Sequence, residues 1–200
     1  MKRNTRQEIM DTAKKLFGER GYNAVSVGEI AKALGISKGN LTYYFKKKEE
    51  IMEAILDEAT PVFPEKAPET VEEWDGFFLH TQQVREENAF YFWNHAQLSA
   101  LSPKIREKQV GVYQHNYMLL TQGLELLEAK GMIRPEGFHG EYAQIADDLL
   151  LLSIYLLPFN ALKQGTTGES VDYRVRAWGR LYPLLTNEGV KAIERLHVFS

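Results

Sequence analysis

The chain has 200 residues, a formal net charge of −3 and no cysteine. That length supports a real hydrophobic core without covalent staples, and the missing thiols exclude disulfide frameworks and thiolate chemistry. Charge is unevenly placed: residues 1–48 hold 11 Lys+Arg against four acids, +7, whereas residues 49–200 hold 13 basic and 23 acidic groups, −10. A basic head on an acidic body attracts a polyanion at one end and repels it elsewhere.

Helical periodicity runs through nearly the whole chain and no segment alternates as a strand does, so the fold class is all-α. Thr5-x-x-Glu8 reads as a capping box, and Ile9, Ala13, Leu16 and Phe17 form one apolar stripe that Gly21 ends. Ser26-x-x-Glu29 repeats the signature for a helix of about two turns, with Val27, Ile30, Ala31 and Leu34 inward and Gly35 as its stop. Ser37 then caps a third helix running to about Phe45. A fourth starts near Lys47, carries Ile51, Met52, Ile55 and Leu56, and fades at Ala59-Thr60. Pro61, Pro64 and Pro68 mark a connection, so the expected division is 1–58 and 59–200.

Two short helices joined by Gly35-Ile36-Ser37 form a helix-turn-helix pattern, which leaves the second helix free to enter a major groove. Leu41 and Phe45 must pack inward, so Lys38, Asn40, Thr42 and Tyr43 point away, as groups suited to base edges and phosphates. Gly39 is a poor helix former, costing up to about 1 kcal/mol relative to alanine, and close approach to a DNA backbone would explain it. Lys46, Lys47 and Lys48 gather at the start of the fourth helix, where a bound phosphate would offset an unfavourable macrodipole; Ser26 could hold another phosphate. Lys2, Arg3 and Arg6 form a basic start able to reach backbone or minor groove.

The run Gly35-Ile-Ser-Lys-Gly-Asn-Leu-Thr-Tyr-Tyr-Phe45-x-x-Lys48 resembles the helix-turn-helix signature of the tetracycline-repressor (TetR) family. Leu16-Phe17, Gly21-Tyr22 and Ser26-Val-x-x-Ile30-Ala31 extend the resemblance over roughly residues 5–56. It implies backbone contacts from Ser26, Ser37, Tyr44 and Lys48, and base or groove contacts from Lys38, Gly39, Asn40, Thr42 and Tyr43. The family commonly has Tyr where this chain has Thr42, and often His where it has Tyr44. The implied function is a transcription regulator, by family default a repressor, with double-stranded operator DNA and a small-molecule effector as partners.

Further along, Thr70-x-x-Glu73 opens a helix through Val84, and Phe90 to Leu101 reads as another. Ser102-Pro103 launches a long helix to Lys130-Gly131. Two more, about 141–163 and 170–185, are separated by Gly165-Thr-Thr-Gly168, and a short helix spans about 187–196. The aromatic residues here are expected mostly in the core, with Trp74, Phe78, Phe92, Trp93, His95, Tyr113, Tyr117 and Tyr155 as candidate effector contacts. Leu149 to Leu157 is almost continuously apolar, too short for a bilayer, and reads as a buried helix; with Trp178, Leu181, Tyr182, Leu184 and Leu185 it predicts a two-fold dimer through both long helices.

No metal, cofactor or catalysis is expected. His80, His95, His115, His139 and His197 never pair at ligand spacing, Asp147 and Asp148 point to different faces, and neither a nucleophile motif nor a phosphate-cradling loop occurs. Without a signal-like start or membrane span, the expected setting is the cytoplasm. The competing reading keeps DNA binding but makes the second domain a protein-interaction module rather than a sensor.

Overall fold

The computed structural model describes residues 5–58 and 64–200. Lys2 and Arg3 of the basic start, the Ala59-Thr60 end of the fourth helix and Pro61 lie outside the described residues. The described helices are α1 (Thr5–Arg20), α2 (Val27–Leu34), α3 (Lys38–Tyr44), α4 (Lys48–Glu58), α5 (Val71–Glu87), α6 (Ala89–Leu98), α7 (Pro103–Ala129), α8 (Glu141–Thr167), α9 (Tyr173–Leu181) and α10 (Asn187–Glu194). Among these residues there is no strand, only an isolated bridge between Ile133 and Leu185. The all-α reading is borne out.

The chain forms two compact units, one of residues up to 61 with 88–109, the other of 62–87 with 110–200. This departs from a single cut near residue 58. Phe90 and Leu98 of α6 and Ile105 of α7 are buried with Ile9, Phe17, Ile30, Leu41 and Ile51, so their apolar faces complete the first unit's core. Lys104 also reaches Asp57 at 2.7 Å.

In the second unit Trp74, Phe78, Leu124, Leu127, Ile145, Leu149 and Trp178 share one core. Phe78 meets Trp74, Tyr173 and Trp178 edge-on at ring centroids of 5.5, 6.0 and 5.3 Å. Two carboxylates are tied in beside it. Asp75, buried, accepts Arg174 Nε at 2.6 Å, Arg174 Nη2 at 2.9 Å and Trp178 Nε1 at 2.9 Å. Glu141 accepts both Arg134 nitrogens at 2.8 Å and the Gly137 N–H at 2.7 Å.

Arg134 and the Gly137 N–H together hold the Glu141 carboxyl at about 2, below its ordinary 4.5. A lowered folded-state value means that the contribution is whole above 4.5 and is lost as pH falls toward about 2. Glu141→Gln should therefore lower the melting temperature near neutral pH and flatten the acid limb of stability against pH. An unchanged acid limb would contradict this assignment.

The helix boundaries around Gly165 and Pro183 differ from expectation. α8 runs on through Gly165 because a glycine with ordinary φ can continue a helix; the stop is Gly168, at φ 72°, whose N–H bonds the Gln164 carbonyl. α9 starts only at Tyr173, where Asp172 accepts the Val175 N–H at 3.0 Å, and Pro183 turns its last turn into a 3₁₀ segment, Tyr182–Leu184.

The apolar stretch of α8 is not a buried helix. Leu149, Leu150 and Leu156 are buried, but Leu151, Tyr155, Phe159 and Leu162 are exposed, Leu162 by 75%. The helical period explains the split: residues 151, 155, 159 and 162 lie on one face, opposite the face that packs into the unit. By length and composition alone α8 could cross a membrane.

Candidate nucleic-acid interface and effector residues

The turn between α2 and α3 is fixed by backbone chemistry. Gly35 adopts φ 68°, its N–H bonding the Lys32 carbonyl while the Ile36 N–H bonds that of Ala31, both at 3.1 Å. A residue with a Cβ would be strained there. Ser37 Oγ accepts the Asn40 N–H at 3.1 Å and so starts α3 directly after the turn.

On α3, Leu41 and the following Phe45 are buried in the first unit's core. Ser37, Lys38, Gly39 and Asn40 are exposed, Tyr44 is partly so, and Tyr43 is 83% exposed. Thr42 is half-buried, its hydroxyl donating to the Gly39 carbonyl at 3.0 Å. Tyr43 and Tyr44 meet edge-on at 5.2 Å, which restrains both rings on an otherwise unsupported surface. A Cβ added to Gly39 would meet nothing nearer than Ser37 Oγ at 3.9 Å. The fold of this unit therefore supplies no steric reason for glycine at that position.

Three expected phosphate contacts meet competition inside the protein. Ser26 Oγ accepts the Glu29 N–H and donates to the Glu29 carboxylate, so its one proton is already used. The N-terminus of α4 is not held for an external anion: Glu50 accepts the Lys46 N–H at 2.7 Å, and Glu49 and Glu50 in the first turn offset the lysines. Lys48 is half-buried, with Nζ donating to the Tyr22 and Val25 carbonyls at 2.8 Å each and lying 4.0 Å from the centre of the Tyr22 ring. Burial pushes its pKa down.

Lys48 thus clamps the segment ahead of α2, with one of its three N–H donors left. Lys48→Met should cost about 1–3 kcal/mol by stranding those carbonyls. Urea denaturation measures this, and a wild-type midpoint would contradict the clamp. Lys46 and Lys47 remain exposed.

The eight candidate effector residues fall in both units. Phe92, Trp93 and His95 lie on α6 in the first unit, whereas Trp74, Phe78, Tyr113, Tyr117 and Tyr155 belong to the second. Trp74 and Phe78 are fully buried core rings. Tyr113 stacks on Tyr117 at 5.8 Å and donates its hydroxyl to Asp147 at 2.9 Å, and Tyr155 lies on the exposed stripe of α8. Aromatic composition alone could not separate these roles.

Sequence reading also passed over Arg85, which lies 4% exposed in the second unit. A signal existed: Trp74, Phe78, Thr81 and Arg85 fall at i, i+4, i+7 and i+11, one continuous stripe of α5, and all four are buried.

Residues 9–68 match the family model described as bacterial regulatory proteins of the tetR family. The structure of the TetR-family regulator PfmR from Thermus thermophilus is 28% identical, covers 87% of this chain and 93% of its own, and superposes with a TM-score of 0.67. Residues 9–68 are thus similar to the DNA-binding region of TetR-family regulators. The HTH-type transcriptional regulator QacR of Staphylococcus aureus is 48% identical over 54 residues, 27% of this chain and 29% of QacR. Sequence likeness to that curated relative is thus confined to less than a third of its length. A TetR-family regulator from Marinobacter aquaeolei has 21% identity and a TM-score of 0.82 over 97% of both chains, a match of fold. The architecture is the TetR one, an N-terminal helix-turn-helix followed by a helical domain.

Proposed function

We propose that this chain is a dimeric repressor of the TetR family that binds a palindromic operator through α3 and is released by a small apolar or amphipathic effector. One observation carries the DNA assignment. Gly39 weakens α3 without relieving any internal crowding, on a face where Lys38, Asn40 and Tyr43 are exposed. Close approach to a sugar-phosphate backbone accounts for the glycine, and base edges account for the exposed polar and aromatic groups. Ser37, Thr42 and Tyr44 belong to the same contact surface; Ser26 and Lys48 reach phosphate only while keeping their internal partners.

The exposed stripe Leu151, Tyr155, Phe159 and Leu162 of α8 is best covered by its counterpart in a second copy, α8 and α9 of each forming a four-helix bundle. Phe159→Glu combined with Leu162→Glu should yield folded monomers and weaken operator binding. Sedimentation and circular dichroism check this, and a persistent dimer would contradict the bundle.

Such a dimer presents two α3 helices about one DNA turn apart, roughly 34–36 Å. An effector that favours a different spacing lowers operator affinity, and DNA must lower effector affinity by the same factor. A coupling of about 1–3 kcal/mol gives a 5- to 150-fold change. The test is a gel-shift titration against the DNA flanking the protein's own gene, repeated with a panel of apolar and amphipathic compounds. Retention reversed by at least one compound supports the reading, and retention unaffected by every compound favours a protein-interaction role for the second unit.

A further inference from the structure

The buried charges of the second unit are treated unequally. Asp75 is matched by Arg174 and Trp178, and Glu141 by Arg134. Arg85 is not matched: its Nε and Nη1 are buried without any hydrogen-bond partner, and its guanidinium lies 4.8 Å from the centre of the Tyr173 ring. The acidic groups that influence it are Glu86, next in sequence, and Asp172, whose carboxylate is engaged at the start of α9. Neither forms an ion pair with it. A guanidinium keeps its charge even when desolvated, so the ring face compensates only part of the lost hydration.

The surroundings suggest what would complete it. Tyr173 joins Arg85 to Phe78, and Phe78 joins Trp74, giving a file of apolar rings with the cation at one end. Along α5 that file covers eleven residues, about 16 Å. Other buried polar atoms in the unit also lack partners: Trp74 Nε1, Gln82 Oε1 and Asn116 Oδ1. Buried groups are almost always paired, so an unpaired buried guanidinium calls for a partner from outside the chain.

We propose that Arg85 anchors an anionic effector, a carboxylate-tipped molecule with an apolar body that lies along the Tyr173, Phe78 and Trp74 rings. This rests on the sensor role of the second unit and specifies its ligand class. A carboxylate accepts charge-assisted bonds from a guanidinium, stronger than those a neutral hydroxyl accepts, and a cationic head is repelled.

The test uses the full chain at about pH 7.5, where alkyl carboxylates are ionised, with decanoate and decan-1-ol as probes and tryptophan fluorescence as the readout. The expected result is decanoate bound at least tenfold more tightly than decanol. In Arg85→Gln the preference should disappear while decanol binding stays within about twofold. Arg85→Lys should keep part of the preference, since it retains the charge but not the paired donors. Equal binding of the two probes by the wild type, or an undiminished preference in Arg85→Gln, overturns the proposal. If Arg85→Gln does not fold, as judged by circular dichroism, the wild-type ratio and Arg85→Lys decide.

Operator retention measured beside these titrations separates the two readings. Arg85-dependent decanoate binding that leaves DNA affinity unchanged upholds the anion site and removes the sensor role. Release of DNA by a neutral compound equally in wild type and Arg85→Gln, without any carboxylate preference, removes the anion site and upholds the sensor.

Discussion

Tyr43→Ala should abolish specific operator binding while leaving the fold intact. The ring is 83% exposed and its aromatic contact is with Tyr44, so its loss should change stability by no more than about 0.5 kcal/mol. Exposed tyrosines that become buried on binding are frequent energetic centres, and truncating one costs about 2 kcal/mol or more, roughly thirtyfold in affinity. Gel shift against operator and against random duplex distinguishes loss of specificity from loss of all binding. Phosphate contacts should persist in the variant, so weak nonspecific retention at low salt remains. Normal operator affinity in a folded variant would remove Tyr43 from the reading face.

Asp75→Ala should be the most destabilising single truncation among the charged residues considered. The carboxylate holds two nitrogens of Arg174 and the indole N–H of Trp178. Removing it strands a partly buried cation and a buried donor together, a loss of about 3–5 kcal/mol. Asp75→Asn should lose less, because its amide oxygen can still accept one of these bonds. Urea denaturation followed by tryptophan fluorescence measures both variants. A loss below about 1 kcal/mol for Asp75→Ala would show that the unit relaxes around the missing carboxylate.

Much of this architecture can be read before any coordinates. Capping serines before α2 and α3, the left-handed Gly35 and the inward Leu41 all follow from local rules, and local rules govern short helices. The TetR resemblance rests on the same residues. Long-range contacts are less legible. Phe90, Leu98 and Ile105 are apolar whichever core they join, so no pattern assigned them to the first unit. Lys48 reads as a basic surface group, but its ammonium serves two carbonyls more than twenty positions earlier in the chain.

Arg85 shows the opposite failure. An arginine near the end of an amphipathic helix ordinarily lies in water, and only its place on the Trp74, Phe78 and Thr81 stripe argued otherwise. In α8, continuous apolar sequence suggested burial, whereas Leu151, Tyr155, Phe159 and Leu162 face outward. Hydrophobicity says that a face needs covering; it does not say whether the same chain or a second copy covers it.

The central claim is that the exposed face of α3 reads duplex DNA, and selection from a random-sequence duplex pool tests it most directly. The full chain is incubated at low salt, retained duplexes are amplified and sequenced, and hydroxyl-radical footprints are taken on the enriched site. The expected result is one enriched inverted repeat whose protected half-sites are about one helical turn apart. No retention of any duplex, or enrichment that Tyr43→Ala leaves unchanged, would contradict it.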